Sequence, residues 1–175
     1  MFSNPNTIVA ALPISVGAVV ADIGAGTGAF SFPIAEKVGP TGKVYACDVQ
    51  KDILVRLEND ARDRGLKNIQ TVVSNVEIHQ GTKLRDASID WIIIANVFYQ
   101  IEARQAFVKE MARILKPGGA VVLIDWSESF GSLGPQPAMI ITKTDAEKMF
   151  AEVGLKSTPT VIDAGSHHYG IVFRR

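Results

Sequence analysis

The feature that most constrains the fold is a short apolar segment that runs directly into a glycine-rich turn. Residues 19–23 read Val-Val-Ala-Asp-Ile, and residues 24–28 read Gly-Ala-Gly-Thr-Gly. A nearly continuous apolar run of this length is typical of a parallel strand buried on both faces. Alternate glycines at the carboxyl end of such a strand let the backbone come close to a ligand. Helical spacing begins near Ala29, so the segment predicts an α/β fold with a ligand site at this turn.

The acidic residue Asp22 distinguishes between the ligands that bind at such turns. The glycines fit a dinucleotide turn of the type G-x-G-x-x-G/A, with Ala29 in the last place. In a dinucleotide site, a carboxylate two residues before Gly24 would face the pyrophosphate at close range, which is repulsive. A ligand that carries an ammonium and a sulfonium group is instead attracted to Asp22, directly or through water, and S-adenosylmethionine is such a ligand. A phosphate-binding P-loop is excluded because no Lys-Ser or Lys-Thr pair follows the glycines.

A second acidic residue stands where a ribose site needs one. The helix after the turn ends at the Gly-Pro-Thr-Gly of residues 39–42, and residues 43–48 have the pattern of a second strand. This strand ends in Asp48, about twenty residues beyond the glycines, as in ribose-binding β-α-β units. Two adjacent ribose hydroxyls can both donate to one carboxylate, so Asp48 is predicted to hold a ribose. A cap for the helix over residues 51–64 is the other interpretation of Asp48.

Together with the Leu-Lys-Pro-Gly-Gly of residues 115–119, these motifs resemble the class I S-adenosylmethionine-dependent methyltransferases, in the group that includes the ubiquinone and menaquinone C-methyltransferases. The resemblance runs from about residue 16 to the C-terminus. It implies an α/β, Rossmann-like three-layer sandwich whose seven strands are mostly parallel, in the order 3-2-1-4-5-7-6, with an antiparallel last strand. It also implies S-adenosyl-L-methionine as the cofactor and S-adenosyl-L-homocysteine as its product. The expected cofactor-binding residues are Asp22, Gly24, Ala25, Gly26, Gly28, Asp48, Val49, Asn75, Val76 and Asn96.

Asn75 departs from the family pattern. In the family, an acidic residue after the third strand, here residues 69–73, usually accepts a hydrogen bond from the adenine amino group. The Asn75 amide oxygen can accept from that amino group, and its nitrogen can donate to a ring nitrogen, so the role is kept without charge. Formation of a turn or a cap is the alternative interpretation of Asn75. Val76 can pack on the adenine face.

The remaining elements follow from apolar runs and breakers. Strands are predicted over residues 89–94 and 120–124, helices over residues 6–12, 102–115 and 145–153, and a closing hairpin with strands over residues 161–163 and 169–173 around a turn at 164–166. Thr142 or Thr144 is expected to cap the last helix.

We expect a single domain over residues 1–175 in which residues 1–16 form a short N-terminal segment. Family members often have a longer helical segment there, so the pocket is open, capped by another subunit, or closed by a loop elsewhere.

The methyl acceptor is expected at the carboxyl edge of strands 4 and 5, where open α/β sheets bind ligands. Tyr99 offers a phenol that can orient a nucleophile. His168, or its neighbour, lies at the start of the antiparallel last strand and can act as a base near neutral pH, although a solvated hairpin histidine is the alternative. The glycine- and proline-rich residues 129–137 are the candidate lid. Apolar and aromatic side chains near this edge suggest a small hydrophobic or phenolic acceptor: Phe98, Tyr99, Trp126, Phe130 and Met139. For Phe98, ordinary core packing is the favoured interpretation.

Composition limits the classes of partner. The chain has 175 residues, of which 47% are apolar, which fits one domain with a real core. Eighteen basic residues balance eighteen acidic ones, so no net field attracts nucleic acid or an anionic membrane. The single cysteine, Cys47, excludes an internal disulfide, and no apolar run approaches the roughly twenty residues of a membrane span. We therefore expect a cytoplasmic protein without a membrane span. The sequence does not determine the oligomeric state, so a homo-oligomer is one of the alternatives.

No metal is expected. The three histidines are scattered along the chain, and magnesium-dependent O-methyltransferases need clustered acids where this sequence has Asn96.

Two other functions compete with an enzyme that methylates a small molecule. The first is a noncatalytic S-adenosylmethionine-binding accessory module, motivated by the short N-terminal segment and by the absence of the histidines that family members often carry near Phe98 and Tyr99. The second is an NAD-dependent oxidoreductase. Asp22 argues against the second function, and no Tyr-x-x-x-Lys pattern follows the central strands.

Overall fold

The computed structural model describes residues 4–130 and 134–175. Its centre is a seven-stranded sheet in the order β3-β2-β1-β4-β5-β7-β6. The strands are β1 (Val19–Ile23), β2 (Lys43–Asp48), β3 (Ile69–Val73), β4 (Ile89–Ala95), β5 (Leu115–Trp126), β6 (Lys156–Ser157) and β7 (His168–Arg174). Strands β1 to β5 pair in parallel, and β7 runs antiparallel to β5 and to β6. The predicted strand order and the antiparallel last strand are confirmed.

Helices cover both faces of the sheet. They are α1 (Pro5–Ala11), α2 (Ser31–Val38), α3 (Lys51–Asp63), α4 (Arg104–Ile114) and α5 (Lys143–Ala151), with short 3-10 turns at Phe98–Gln100 and Pro137–Met139. Thr142 is the cap of α5, since its hydroxyl accepts from the Asp145 N–H at 3.1 Å. Helix α2 begins at Ser31, two residues later than expected, because the chain still turns at Gly28, whose N–H donates to the Ala25 carbonyl at 2.9 Å.

The core has two layers because consecutive residues of the central strands face opposite sides. On β4, Ile92 packs with α4 and α5, whereas Ile93 packs with α1 and α2. Ala46 of β2 faces the same side as Ile93 and packs with α3. This arrangement explains why the run over residues 89–94 is apolar at nearly every position. It places helices α1 to α3 on one face, helices α4 and α5 on the other, and a reversal of strand order between β1 and β4.

Residues 116–119 form an irregular bulge within β5, where the register of its pairing with β4 shifts. The pairing of β4 with β5 passes from Ile89 opposite Leu115 to Trp91 opposite Ala120. The expected turn at this glycine pair is therefore present, but the strand begins before it. Gly118 has a φ of +77°, a conformation that glycine adopts readily.

The predicted strand over residues 161–163 is wrong. The partner of β7 at the edge of the sheet is β6, in which Lys156 lies opposite Arg174 and Ser157 lies opposite Phe173. Val161 is 92% exposed, whereas Ile162 packs over Gly170 of β7, where an added Cβ would lie 2.6 Å from the Ile162 Cβ. The apolar signal at this point reflects the packing of one side chain rather than strand pairing.

The structure bears on two further expectations, the membrane span and the lid. Among the residues that the structure describes, no helix is long and apolar enough to cross a membrane. The candidate lid over residues 129–137 includes residues 131–133, which lie outside the described residues.

Candidate functional site

The glycine-rich turn is fastened to the end of β2. The N–H groups of Gly24 and Ala25 both donate to the Cys47 carbonyl, at 2.8 and 3.0 Å. Gly24 has a φ of +70°, and a Cβ added there would lie 2.2 Å from the Cγ2 of Val97, which follows β4. The turn can pass this close to Val97 only because residue 24 has no side chain.

Asp48 joins the same turn to helix α3. Its Oδ2 accepts from the Gly26 N–H and its Oδ1 accepts from the Gln50 N–H, both at 3.0 Å. Gln50 is the residue that precedes α3. Each carboxylate oxygen has further acceptor capacity, so these two contacts leave room for two ribose hydroxyls. The Asp48 carboxylate is therefore hydrogen-bonded both to the glycine-rich turn and to the residue that precedes α3.

A cavity of about 370 Å³ opens at the carboxyl edge of the sheet, where the strand order reverses between β1 and β4. In open α/β sheets ligands bind at such a reversal. Seven of the ten predicted cofactor-binding residues line it: Gly24, Gly26, Asp48, Val49, Asn75, Val76 and Asn96. Residues that the sequence analysis did not identify complete the wall: Cys47, Gln50, Ile53, Ser74, Glu77, Val97, Gln100 and Ile101. A larger opening of about 690 Å³ lies at the opposite edge, near residues 39–43 and 65–70, and contains none of the predicted residues.

The lining fits an adenosyl cofactor. A Cβ added at Gly26 would meet no atom closer than the Gly24 carbonyl oxygen at 4.0 Å, so the space above the turn is open to a ligand. The Asp48 carboxylate suits a ribose, and the apolar Val49 and Val76 suit the faces of a flat ring. Within residues 4–130 and 134–175, no three His, Cys, Asp or Glu side chains lie together as a metal site.

Asp22 lies behind the glycine turn, outside the cavity lining. Its carboxylate is buried, and Oδ2 accepts from the Ser31 hydroxyl at 2.6 Å. Burial raises the pKa of Asp22 to about 6, against the lowering effect of the Ser31 hydrogen bond, and the nearby Asp48 raises it further. The attraction of Asp22 for a cationic cofactor stays a prediction.

Ala25 and Gly28 also lie outside the cavity lining. Ala25 packs in the core with Leu57 of α3. A Cβ added at Gly28 would lie 2.7 Å from the Phe32 ring. In the described structure both residues therefore shape the turn through packing.

The two asparagines at the cavity are held by the backbone. The Asn75 Oδ1 accepts from the Glu77 N–H at 3.0 Å, which is the turn interpretation of this residue. The same oxygen can accept a second hydrogen bond, so a contact with adenine stays a prediction. Asn96 has a φ of +58°, and its N–H donates to the Ile124 carbonyl at 2.9 Å. This left-handed conformation, which asparagine tolerates, ends β4 at the cavity.

Tyr99 is fixed through its main chain. Its N–H donates to Oδ2 of Asp125 at 2.9 Å, and Oδ1 of Asp125 accepts from the Trp126 N–H at 2.8 Å. Burial raises the pKa of Asp125 to about 6, although these backbone hydrogen bonds oppose the shift.

Phe98, which precedes Tyr99, is fully buried, and the centroid of its ring lies 5.5 and 5.6 Å from those of Phe107 and Phe150. Phe98 therefore packs in the core.

The two adjacent histidines occupy different surroundings. The His168 ring is buried against Trp126, with ring centroids 4.3 Å apart, and burial together with the neighbouring His167 lowers the pKa of His168. The His167 Nδ1 lies 2.8 Å from Oε1 of Glu128, and Phe130 stacks on the ring at 4.1 Å. The sequence analysis did not identify the contact of His167 with Glu128, which joins two residues 39 positions apart.

Comparison with known proteins decides the family. Residues 14–165 match the family model described as a methyltransferase domain. The chain belongs to the methyltransferase domain family. This methyltransferase domain is 30% identical over 115 residues to the demethylmenaquinone methyltransferase of Geobacillus sp. (strain WCH70), which covers 66% of the chain and 48% of that relative. It is 28% identical over 157 residues to the ubiquinone/menaquinone biosynthesis C-methyltransferase UbiE of Hahella chejuensis (strain KCTC 2396), covering 89% of the chain and 59% of the relative. The chain thus spans about half the length of the curated relatives it matches.

Solved structures share the fold of this methyltransferase domain. A SAM-dependent methyltransferase from Aquifex aeolicus superposes with a TM-score of 0.87 at 25% identity, covering 99% of this chain and 90% of that one. The [4+2]-cyclase SpnF superposes with a TM-score of 0.81 at 13% identity over 98% of this chain and 79% of its own, a likeness that shows the fold alone. These findings confirm the predicted methyltransferase family and its fold.

Proposed function

We propose that the chain catalyses methyl transfer from S-adenosylmethionine to a small apolar or phenolic acceptor, and that a reduced quinone ring is the first acceptor to test. The observation that carries the proposal is the cavity at the reversal of strand order, where Gly26 and Asp48 are hydrogen-bonded to each other. The quinone ring is suggested by the names of the demethylmenaquinone and ubiquinone/menaquinone relatives.

Bound S-adenosylmethionine would supply a methyl group on its sulfonium: the acceptor would attack the methyl carbon in line with the carbon–sulfur bond, which breaks as the new bond forms, and S-adenosylhomocysteine would leave. In this proposal Asp48 binds the ribose, Asn75 contacts the adenine edge and Val76 excludes water from its face. Asp22 lies beneath the turn, and its negative charge favours a cationic ligand above it. The main work of the protein is then to position the two reactants and to keep water away.

The acceptor side of the proposed site lies along β4, β5 and β7. Tyr99 lies outside the cavity lining, three residues after Asn96, which lines it, and Asp125 fixes the Tyr99 backbone. His168 begins β7 at the same edge, and its lowered pKa keeps the imidazole neutral near pH 7, the form that accepts a proton. We assign Tyr99 to orientation of the acceptor and His168 to proton removal.

Two measurements on the purified chain test the proposal. Calorimetry should show binding of S-adenosylhomocysteine but not of NADH. Mass spectrometry should then show methyl transfer from S-adenosylmethionine to chemically reduced 1,4-naphthoquinone or to a member of a phenol panel. Binding without turnover across the panel would replace the enzyme with a noncatalytic cofactor-binding module. Activity restricted to proteins or nucleic acids would overturn the small acceptor.

A further inference from the structure

The segment after β3 forms one wall of the cofactor cavity and folds back on itself. We call residues 74–84 the β3 loop, and its residues 74–77 line the cavity. The Gly81 N–H donates to the Ile78 carbonyl at 3.0 Å. Gly81 also packs so tightly on Asn75 that an added Cβ would lie 1.8 Å from the Asn75 carbonyl oxygen. The place of Asn75 in the cavity wall therefore depends on where the far side of the loop is held.

A buried carboxylate on α4 holds that far side. Oε2 of Glu110 accepts from the Gln80 N–H at 3.0 Å, while Oε1 accepts from the Thr82 N–H at 3.1 Å and from its hydroxyl at 2.6 Å. Gln80 has a φ of +57°, a conformation that costs energy for a residue with a side chain and persists only where surrounding contacts fix it. Glu110 thus supplies the contacts that keep the β3 loop in this shape.

Arg113 keeps the Glu110 carboxylate charged. Its Nε and Nη2 donate to the two oxygens of Glu110 at 2.8 and 2.6 Å. Burial opposes the charge, but the hydrogen bonds from Arg113 and Thr82 outweigh it and lower the pKa of Glu110 to about 2. A charged acceptor with these donors is a strong and directional anchor.

A second anchor lies at the near side of the loop. Oε2 of Glu77 accepts from the N–H groups of Glu102 and Ala103 at 3.0 and 2.6 Å, so it satisfies donors at the start of α4. The Glu77 N–H in turn holds Oδ1 of Asn75. This contact fixes which end of the Asn75 amide is the oxygen, because only the oxygen can accept from an N–H. The amide therefore keeps one orientation while α4 holds the loop.

We propose that Glu110 is a positioning residue for adenine recognition: it fixes the β3 loop so that the Asn75 amide presents one hydrogen-bonding pattern to the purine. The inference rests on the proposed function in that the cavity takes an adenosyl cofactor. A purine with a 6-oxo group presents the reverse pattern of donor and acceptor at that edge. The fixed loop should reject such a purine, and a loosened loop should tolerate it better.

The test compares the affinities of S-adenosylhomocysteine and S-inosylhomocysteine by calorimetry. The wild-type chain should prefer the adenine compound. Thr82→Val, which removes one hydroxyl donor to Glu110, and Glu110→Gln should each reduce that preference, by about tenfold for the latter. Thr82→Ser keeps the hydroxyl and should retain the preference. Asp86→Asn is the matched control, because the Asp86 carboxylate pairs with the outer side of Arg113 and, in the described structure, makes no hydrogen bond to residues 74–84.

A merely structural role would lower the melting temperature without changing the ratio of the two affinities. An unchanged ratio in folded Thr82→Val and Glu110→Gln proteins would overturn the inference and leave the proposed function standing. Failure of the wild-type chain to bind S-adenosylhomocysteine would overturn both. Hydrogen exchange in the absence of ligand supplies an independent check, since both variants should speed exchange in residues 75–84, and unchanged protection there would count against the role of Glu110.

Discussion

The carboxylate of Asp48, at the end of β2, accepts a hydrogen bond of 3.0 Å from the backbone N–H of Gly26, in the turn after β1. The acid expected to bind a ribose thus also shapes the turn beside it. Its other oxygen holds the Gln50 N–H at the start of α3. Loss of this carboxylate should therefore affect both the ligand contact and the shape of the cavity floor.

Asp48→Ala should weaken binding of S-adenosylhomocysteine by about 1–3 kcal/mol, because it removes a charged acceptor and releases the Gly26 N–H. Calorimetric titration at fixed salt measures the difference. Asp52→Ala is the matched control, since Asp52 is an exposed acid in the first turn of α3. Equal losses in the two variants would show that the effect comes from net charge rather than from the position of Asp48.

The sequence predicted best those parts of the site that local backbone rules determine. Alternate glycines after a buried strand, and an acid ending the next strand, located the cavity edge and placed Gly24, Gly26 and Asp48 in its lining. What the sequence did not predict concerns contacts between separate elements. The burial of Asp22 behind the turn depends on Ser31, and no rule for a single segment predicts their hydrogen bond.

The same reasoning explains the misplaced edge strand. Lys156 and Ser157 form β6 although both are exposed and polar, so no alternation of apolar residues predicts a strand there. Val161 and Ile162 carry the apolar signal but do not pair in the sheet. Glu110 was likewise absent from the predicted site, because its partners lie on a loop about thirty residues earlier in the chain.

Gly24→Ala should destabilise the fold by about 1–3 kcal/mol, because the new Cβ would lie 2.2 Å from the Val97 Cγ2 and the backbone has a positive φ. Urea unfolding measures the loss. Gly65→Ala is a control for the backbone cost alone, since Gly65 has a φ of +72° with nothing within 4 Å of an added Cβ. Adding Val97→Ala should recover part of the difference. No recovery in that double variant would contradict the steric explanation.

Asp22 should make the stability of the chain fall as pH rises from about 4 to about 6. Burial raises its pKa in the folded protein to about 6, from an ordinary value of 3.8. Within that window the folded state binds more protons than the unfolded state, so the free energy of unfolding decreases with increasing pH and then levels off. A shift of this size corresponds to about 3 kcal/mol.

Urea unfolding of wild type and Asp22→Asn between pH 4 and pH 7 tests this dependence. The stability advantage of the variant should grow by about 3 kcal/mol across the range, because asparagine does not ionise. Asp125→Asn should behave similarly, since burial also raises the pKa of Asp125 to about 6. A constant difference between wild type and Asp22→Asn would show that Asp22 is not held in a desolvated site.

Tyr99→Phe should separate acceptor chemistry from cofactor binding. The Tyr99 backbone is held by the Asp125 carboxylate through its N–H, so a phenylalanine at this position keeps the segment in place and removes only the hydroxyl. If that hydroxyl orients the acceptor, kcat for reduced 1,4-naphthoquinone should fall by about tenfold while the affinity for S-adenosylhomocysteine stays unchanged. Tyr45→Phe on β2 is the matched control, since the Tyr45 ring contacts Lys43 on its own strand and Tyr45 is not part of the proposed acceptor side along β4, β5 and β7. A wild-type kcat in Tyr99→Phe would remove Tyr99 from the proposed acceptor site, because the loss of a phenol that positions the nucleophile cannot leave the rate of an in-line displacement unchanged.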